Sequence, residues 1–503
     1  MTATMASPRL EASRSMLRNV ARGGVANLIG TAFTGIAGLG VTWLVARALP
    51  AAAAGAFFSA TATFVLGVAV AKLGSQTSMV YWPARLRATG DAEGLARCLR
   101  VGLAPVVLAA VAVAAGLWFG AGKIPGVGHE PGYVAQVRAL ALFLPAAALT
   151  DAVLATTRGF RVMRPTVVLD RIVRPLAQLV LLAGLWLTGT APTVFAALWA
   201  APYLPVALLS GYALARLVRP TMPTESTSDF LPSDFWRFAA PRAVASMAQM
   251  ALQRVDVLLV AALAGLAPAA LYAVAGRFVI LGQFVNQALS QSVQPRLAER
   301  LAIDDRVAAN TLYQQATAWL VLTSWPLYYL AITYATVYLG LFGRKYQGGE
   351  RIVLVLALAM LVATACGMVD MVLAMGGRTW QNLVNVGLAL ATMLGVDALL
   401  VPRHGALGAA LGLAAAVLVN NLVPLAQVRH GLGLHPFGRA TLTAMALSTV
   451  CFAAPQVVLH MVVHLVHPGL PLTIAVSVIG AAGYLFAIFG LPNLRSMFTQ
   501  GGR

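Results

Sequence analysis

The sequence predicts an all-α, polytopic membrane protein of about 14 transmembrane helices. Three observations carry that expectation. Hydrophobic residues make up 59% of the 503-residue chain and charged residues only 10%, against roughly 45–50% apolar and ~25% charged in soluble domains. So few charges cannot cover a soluble protein of this length. The apolar residues form long runs without alternation, which favours helices over a closed barrel, the two folds that satisfy every backbone polar group in lipid. Basic residues also alternate between successive loops, as the positive-inside bias requires. The same composition excludes a disordered chain and a large extramembrane enzyme domain.

A helix needs about 20 apolar residues to cross a bilayer. Runs of that kind cover 24–46, 54–74, 101–121, 137–157, 175–190, 192–215, 238–263, 269–293, 313–341, 352–375, 382–401, 405–427, 440–465 and 469–491. The first is too long for the h-region of a signal peptide, which is about 7–15 residues. The fifth is short, with an alternative start near Thr166. The N-terminus placed inside puts Arg9, Arg14, Arg18 and Arg22 before the first span. Lys72, Arg85, Arg87, Arg97 and Arg100 then fall in the next inner segment. Arg158, Arg161, Arg164, Arg171 and Arg174 follow in the third, and Arg216, Arg219 and Arg237 in the fourth. Later inner segments hold Arg296, Arg300 and Arg306, then Arg378, then Arg429 and Arg439, then Arg495 and Arg503. The outer segments hold only Arg47, Lys123, Arg138, Arg344, Lys345, Arg351 and Arg403. This bias predicts a multi-pass plasma-membrane protein with both termini cytoplasmic. It also accounts for the net charge of +19 without nucleic acid, for which no soluble recognition module is present. The Pro/Ser/Thr-rich segment 216–237 reads as a cytoplasmic linker between a six-helix lobe, 1–215, and a second one, 238–428. Residues 429–503 supply two additional helices and a tail.

Residues 20–76 align without gaps on 235–291. Leu44-Val45-Ala46 falls on Leu259-Val260-Ala261, Leu66-Gly67 on Leu281-Gly282, and Ser75-Gln76 on Ser290-Gln291. In the seventh span Arg242, Ser246, Gln249, Gln253 and Asp256 share one helix face. The alignment carries the first three to Asn27, Thr31 and Thr34 in the first span. Six spans separate the repeats, so the halves have one membrane orientation, the arrangement in which transporters place substrate between them. Packing is the alternative use of such residues, but Arg242, Gln249, Gln253 and Asp256 together favour an aqueous cavity. Gln283, Gln287, Ser290 and Gln294 continue the pattern in the eighth span, below Arg277. Arg254 and Asp256 are two apart and do not face one another. Arg254 and Arg277 therefore need water, a ligand, or a carboxylate such as Asp151, Asp370 or Asp397.

Six segments stand out along the chain: Arg254-Val255-Asp256 through Val260, Leu271-Tyr272, Leu341-Phe342-Gly343 through Tyr346, Val369-Asp370 through Leu373 with Gly376-Gly377-Arg378, Pro402 through Ala410, and Ala46 through Pro50 with Gly55 and Phe57. In chain order they resemble the oligosaccharide-flippase branch of the multidrug/oligosaccharidyl-lipid/polysaccharide exporter superfamily. The resemblance implies two six-helix lobes around a central cavity. It implies alternating-access transfer of a lipid-pyrophosphate-linked oligosaccharide or polysaccharide precursor from the inner to the outer leaflet of the membrane. It assigns head-group contacts to Arg242, Arg254 and Arg277, consistent with the bidentate phosphate geometry of guanidinium. Gln249, Gln253, Asn27, Thr31 and Thr34 complete the candidate substrate face. The first span departs from the peptidoglycan-precursor lipid flippases, which carry arginines there.

Asp256 and Asp370, with Asn385 and Asn420, are candidate oxygen ligands for coupling to Na+ or H+; no other cofactor is expected. Glycan polymerase and glycosyltransferases are the expected protein partners. His460, His464 and His467 have metal-ligand spacing on one helix, but read as interfacial histidines for want of further ligands. Cys98, Cys366 and Cys451 match no metal or redox motif. No Walker, G-x-S-x-G or H-E-x-x-H motif is present, so the expectation is a transporter and not an enzyme. A multidrug exporter of the same superfamily and a membrane glycan polymerase are the competing readings; organic cations would favour an acidic cavity.

Overall fold

The computed structural model describes residues 29–188, 191–218, 230–462 and 470–490. These residues form helices and short connections. The chain divides into two compact units, Met1–Arg254 and Val255–Arg503. Among the described residues, eleven helices are long and apolar enough to cross a membrane, thirteen if two bent pairs each count as one span. The remaining expected run is also helical. It begins at Thr166, the earlier of the two expected starts, and carries Asp170, Arg171 and Arg174 inside it. Those charges separate it from the purely apolar spans. They also correct the expectation that Arg171 and Arg174 belong to a loop.

In the first unit α1 is Ile29–Ala48, α2 Ala51–Ala71, α3 Ser75–Ala88 and α4 Ala92–Gly120. Helices α5, Pro131–Ala141, and α6, Leu144–Gly159, are bent by 44° at their junction. A π-helical segment, Thr166–Val173, leads into α7, Arg174–Thr188. Helices α8, Pro192–Ala200, and α9, Tyr203–Val218, follow. The division between units falls inside α10, Pro232–Ala264. Residues 219–229 of the expected linker lie outside the described residues.

Helix α2 is buried along most of its length because its small residues admit close neighbours. Thr63 Oγ1 lies 2.9 Å from the Tyr133 hydroxyl of α5, and Phe64 packs edge-on against Trp199 of α8. A second apolar cluster joins Met79, Leu86, Leu95, Cys98 and Phe160 to Phe230 and Phe235, fixing the start of α10 to the first unit. Asp91 caps α4 by accepting from Gly94 N at 2.7 Å, a contact worth typically ~1 kcal/mol.

In the second unit α11 is Leu266–Ala275 and α12 Val279–Ala302. Helix α13, Arg306–Thr333, turns by 78° into α14, Ala335–Phe342. Helices α15, Glu350–Ala365, α16, Val369–Met375, α17, Thr379–His404, and α18, Ala406–Leu432, follow. The C-terminal helices are α19, Arg439–Ser448, α20, Ala454–Val462, and α21, Leu470–Gly490. Helices α17 and α18 pack as an antiparallel hairpin. At Gly412 any side chain would overlap the Asp397 carboxylate, so the small residue sets the interhelical approach. Helix α21 is tied to the unit by Tyr484, whose hydroxyl donates to Leu322 O at 2.7 Å and lies 3.2 Å from Ser448 Oγ.

Candidate functional site

The α10 stripe is open. Arg242, Ser246, Gln249 and Gln253 are exposed. The Arg242 guanidinium lies 3.8 Å from the Phe238 ring centre and donates to Phe238 O at 2.9 Å. On α12, Gln283, Gln287 and Gln294 are exposed as well. Rows of amide side chains do not face hydrocarbon without partners, so each row marks a wetted face of its helix. Arg254 is half-buried. Arg277 is half-buried too, in the 3-10 turn Gly276–Phe278 that separates α11 from α12.

Asp256 belongs to a different environment from the rest of the stripe. It is buried and accepts from the Tyr272 hydroxyl at 2.6 Å. Asp397 of α17 lies within Coulombic range of both. It is fully buried, and neither carboxylate oxygen has a hydrogen-bond partner among the described residues. The arrangement is therefore two neighbouring buried acids, one held by a phenol and one open. Like charges at close range in low dielectric cannot both remain ionised without a proton or a cation. Asp397 was legible in the sequence as a lone acid inside an apolar run, a signal of function by itself; sequence reasoning used it only as a partner for arginine. Asp370 lies elsewhere. It is exposed in the first turn of α16, its carbonyl accepts from Asn382 Nδ2 at 2.8 Å, and its side chain meets Asn420. Asn385 is tied to Gln427 by reciprocal amide bonds of 2.8 and 3.0 Å.

The first unit holds a charged cluster that the sequence did not reveal as one. Arg171 donates through Nη1 to Thr31 Oγ1 of α1. Thr34 Oγ1 donates to Gly30 O at 2.9 Å and to Arg171 O at 3.0 Å. Two of the candidate positions on α1 thus engage Arg171 of the helix 166–188, Thr31 its guanidinium and Thr34 its backbone carbonyl; Asn27 lies outside the described residues. Arg174 pairs with Asp170 at 2.9 Å and donates to the Tyr203 hydroxyl at 3.3 Å, its guanidinium 5.0 Å from that ring's centre. Lys72 pairs with Asp151 at 2.9 Å. Arg158 lies within Coulombic range of Asp151, Asp170 and Arg171, and Arg254 of Tyr203. Among the described residues, Lys72, Arg158 and Arg174 share the carboxylates Asp151 and Asp170, and Arg171 lies within Coulombic range of Arg158. Positive charge is in excess, so the cluster can receive an anion. The sequence signal was the i, i+4 pair Asp170–Arg174, which marks a helix rather than a loop.

Among the described residues, no group of three His, Cys, Asp or Glu side chains is placed to hold a metal ion. His464 and His467 lie outside the described residues, and so does the side chain of His460.

The helical spans, with a charged cluster in the first unit and buried acids in the second, build an all-helical polytopic fold. Several solved structures share that fold. The chain is similar to "Lipid II flippase MurJ, inward closed conformation", with a TM-score of 0.70 and 14% identity over 92% of this chain and 98% of that one. It is similar to an inward-facing multidrug resistance MATE family transporter of the MOP superfamily, with a TM-score of 0.66 and 15% identity over 80% and 94%. A Vibrio cholerae MATE transporter aligns with a TM-score of 0.55 and 16% identity over 84% and 98%. No family model and no curated protein matches the sequence.

Proposed function

We propose that the protein is a flippase that moves a lipid-pyrophosphate-linked oligosaccharide or polysaccharide precursor from the inner to the outer leaflet by alternating access. The observation that carries this reading is the Arg171–Thr31 contact inside a cluster with more cations than carboxylates. The stretch of the first span around Thr31 and Thr34 has no arginine of its own, and the neighbouring helix 166–188 supplies one to it. Guanidinium forks match a pyrophosphate in charge and geometry. The likeness to a lipid II flippase supports a lipid-linked substrate. An organic cation would be repelled by the excess positive charge, which weighs against a multidrug exporter. Arg242, Arg254 and Arg277, with Gln249 and Gln253, are proposed as further contacts along the substrate's path. Asp256 with Asp397 is proposed as the site where H+ or Na+ couples, with Asp370 as a second candidate. Glycosyltransferases and a glycan polymerase are proposed to act before and after it.

The test is glycan export, measured beside membrane abundance, in Arg171→Lys and Arg171→Ala. Export should fall in the order wild type, lysine, alanine, by about tenfold or more for alanine, since a charge-assisted bidentate contact is lost. Full export by a normally abundant Arg171→Ala protein would remove the support for this assignment. Lipid extracts separate the competing enzyme reading: a flippase defect leaves the precursor on the inner leaflet, whereas a polymerase defect shortens the glycan.

A further inference from the structure

The second unit carries a pocket that the transport reading does not use. It lies where α17 begins and α18 ends, with a volume of about 620 Å³, lined by Arg378, Leu422, Val423, Ala426, His430 and Gly431 among others. None of its lining residues is acidic. The surface around it is apolar and exposed: Val384 and Leu388 on α17 and Leu422 on α18. Side chains of that kind, exposed on a membrane-spanning helix, face lipid. Trp380 is 72% exposed at the second position of α17, the placement of an interfacial anchor. The pocket therefore opens at the boundary between head groups and hydrocarbon.

Its polar end is built. Arg378 donates through Nη2 to Gly431 O at 3.0 Å, a favourable place for a cation because the last carbonyls of α18 carry the negative end of the helix dipole. A methyl group at Gly431 would overlap the guanidinium; glycine lets Arg378 lie flat on the final turn. One nitrogen of the fork is used by that carbonyl, and the remaining N–H groups are available to a ligand. His430 stands beside it in the lining. Gln427, the other polar lining residue, is occupied by Asn385.

We propose that this pocket binds one anionic glycerophospholipid, with its phosphate on Arg378 and His430 and its acyl chains along Leu422, Val423 and Ala426. A soluble phosphate would not need the apolar wall, and a zwitterionic lipid would bring its own ammonium close to the Arg378 guanidinium. The proposal rests on the pocket's own chemistry and stands or falls separately from the flippase reading.

The test uses the full-length protein in detergent, titrated with phosphatidylglycerol or phosphatidylcholine and read by native mass spectrometry. One phosphatidylglycerol should be retained in preference to phosphatidylcholine. Arg378→Ala should lower its retention by about tenfold, the effect of one lost charge-assisted contact. Because that change also removes a helix-end contact, two further variants isolate the site. Gly431→Ala displaces the guanidinium with its charge intact, and Val423→Trp fills the apolar end while leaving Arg378 in place. Both should lose phosphatidylglycerol. Equal retention of the two lipids by the wild type, undiminished binding by both of these variants, or displacement of the lipid by an equal concentration of inorganic phosphate would each overturn the proposal.

Discussion

Asp397 carries the sharpest conflict between stability and function at the level of single residues. A fully buried carboxylate without a hydrogen-bond partner destabilises its fold, often by several kcal/mol when charged. Asp397→Asn keeps the shape and removes the charge. Membrane abundance and the thermal midpoint should therefore hold or rise, while ion-driven transport falls about tenfold or more if the Asp256–Asp397 pair binds the coupling ion. Unchanged transport in this variant would detach the pair from coupling. Arg254 poses a related question. Its lysine variant keeps charge without the fork, and its alanine variant loses both. Export should fall in the order wild type, Arg254→Lys, Arg254→Ala at constant abundance. If Arg254 instead serves a carboxylate, alanine should lower abundance, and removing that acid should restore it. The sequence made Arg254 and Asp256 visible because charge stands out inside an apolar run. It left Arg171 hidden, because the apolar run 175–190 starts after it and a guanidinium near a span's end looks like a loop charge. Only the fold brings the helix 166–188 against α1 and turns Arg171 toward Thr31.

For whole helices, periodicity did most of the work. The 4, 3, 4 spacing of Arg242, Ser246, Gln249 and Gln253 placed them on one face of α10, and all four are exposed. The next position in that pattern, Asp256, is buried against Tyr272, since periodicity fixes a face but not what packs on it. Cysteines at Gln249 and Gln253 should react with small aqueous thiol reagents, whereas one at Leu263, exposed but apolar, should be shielded by lipid. Cys98 and Cys366 are buried and Cys451 is half-buried, so a Cys451→Ala background keeps the reading clean. Equal protection at all three sites would assign the stripe to packing. Glycine carries the corresponding signal for α17 and α18. The segment Pro402 through Ala410 announced a turn into a helix, but the role of Gly412 depends on where Asp397 lies. Gly412→Val should force the hairpin apart and lower abundance, by roughly 1–3 kcal/mol or more of stability.

At the scale of the whole molecule the open question is which way the helices run through the membrane. The number and order of helices follow from apolar runs, and those runs are the strongest pattern in the sequence. Orientation follows from charge alone. Arginine-rich segments alternate with poor ones along the entire chain: Arg85 and Arg87 lie in α3 and Arg97 and Arg100 near the start of α4, while in the connection between α4 and α5 Lys123 is the one lysine or arginine. Translocation disfavours such basic clusters, so the expectation from charge is that they stay cytoplasmic. Both termini are then cytoplasmic only if the number of crossings is even. The helix 166–188 decides this, because it is the helix that has to be added to the eleven spans and two bent pairs to make the number even, with each bent pair counted as one span. A reporter that is active only inside, fused at residue 503 or inserted in 216–237, should be active at both positions. An insertion between Gly122 and Gly128 should be silent. Activity at 216–237 combined with silence at 503 would mean an odd number of crossings in the second unit. Silence at 216–237 with activity at an insertion after Arg161 would mean that the crossings between them, 166–188 and the α8–α9 pair, do not both span.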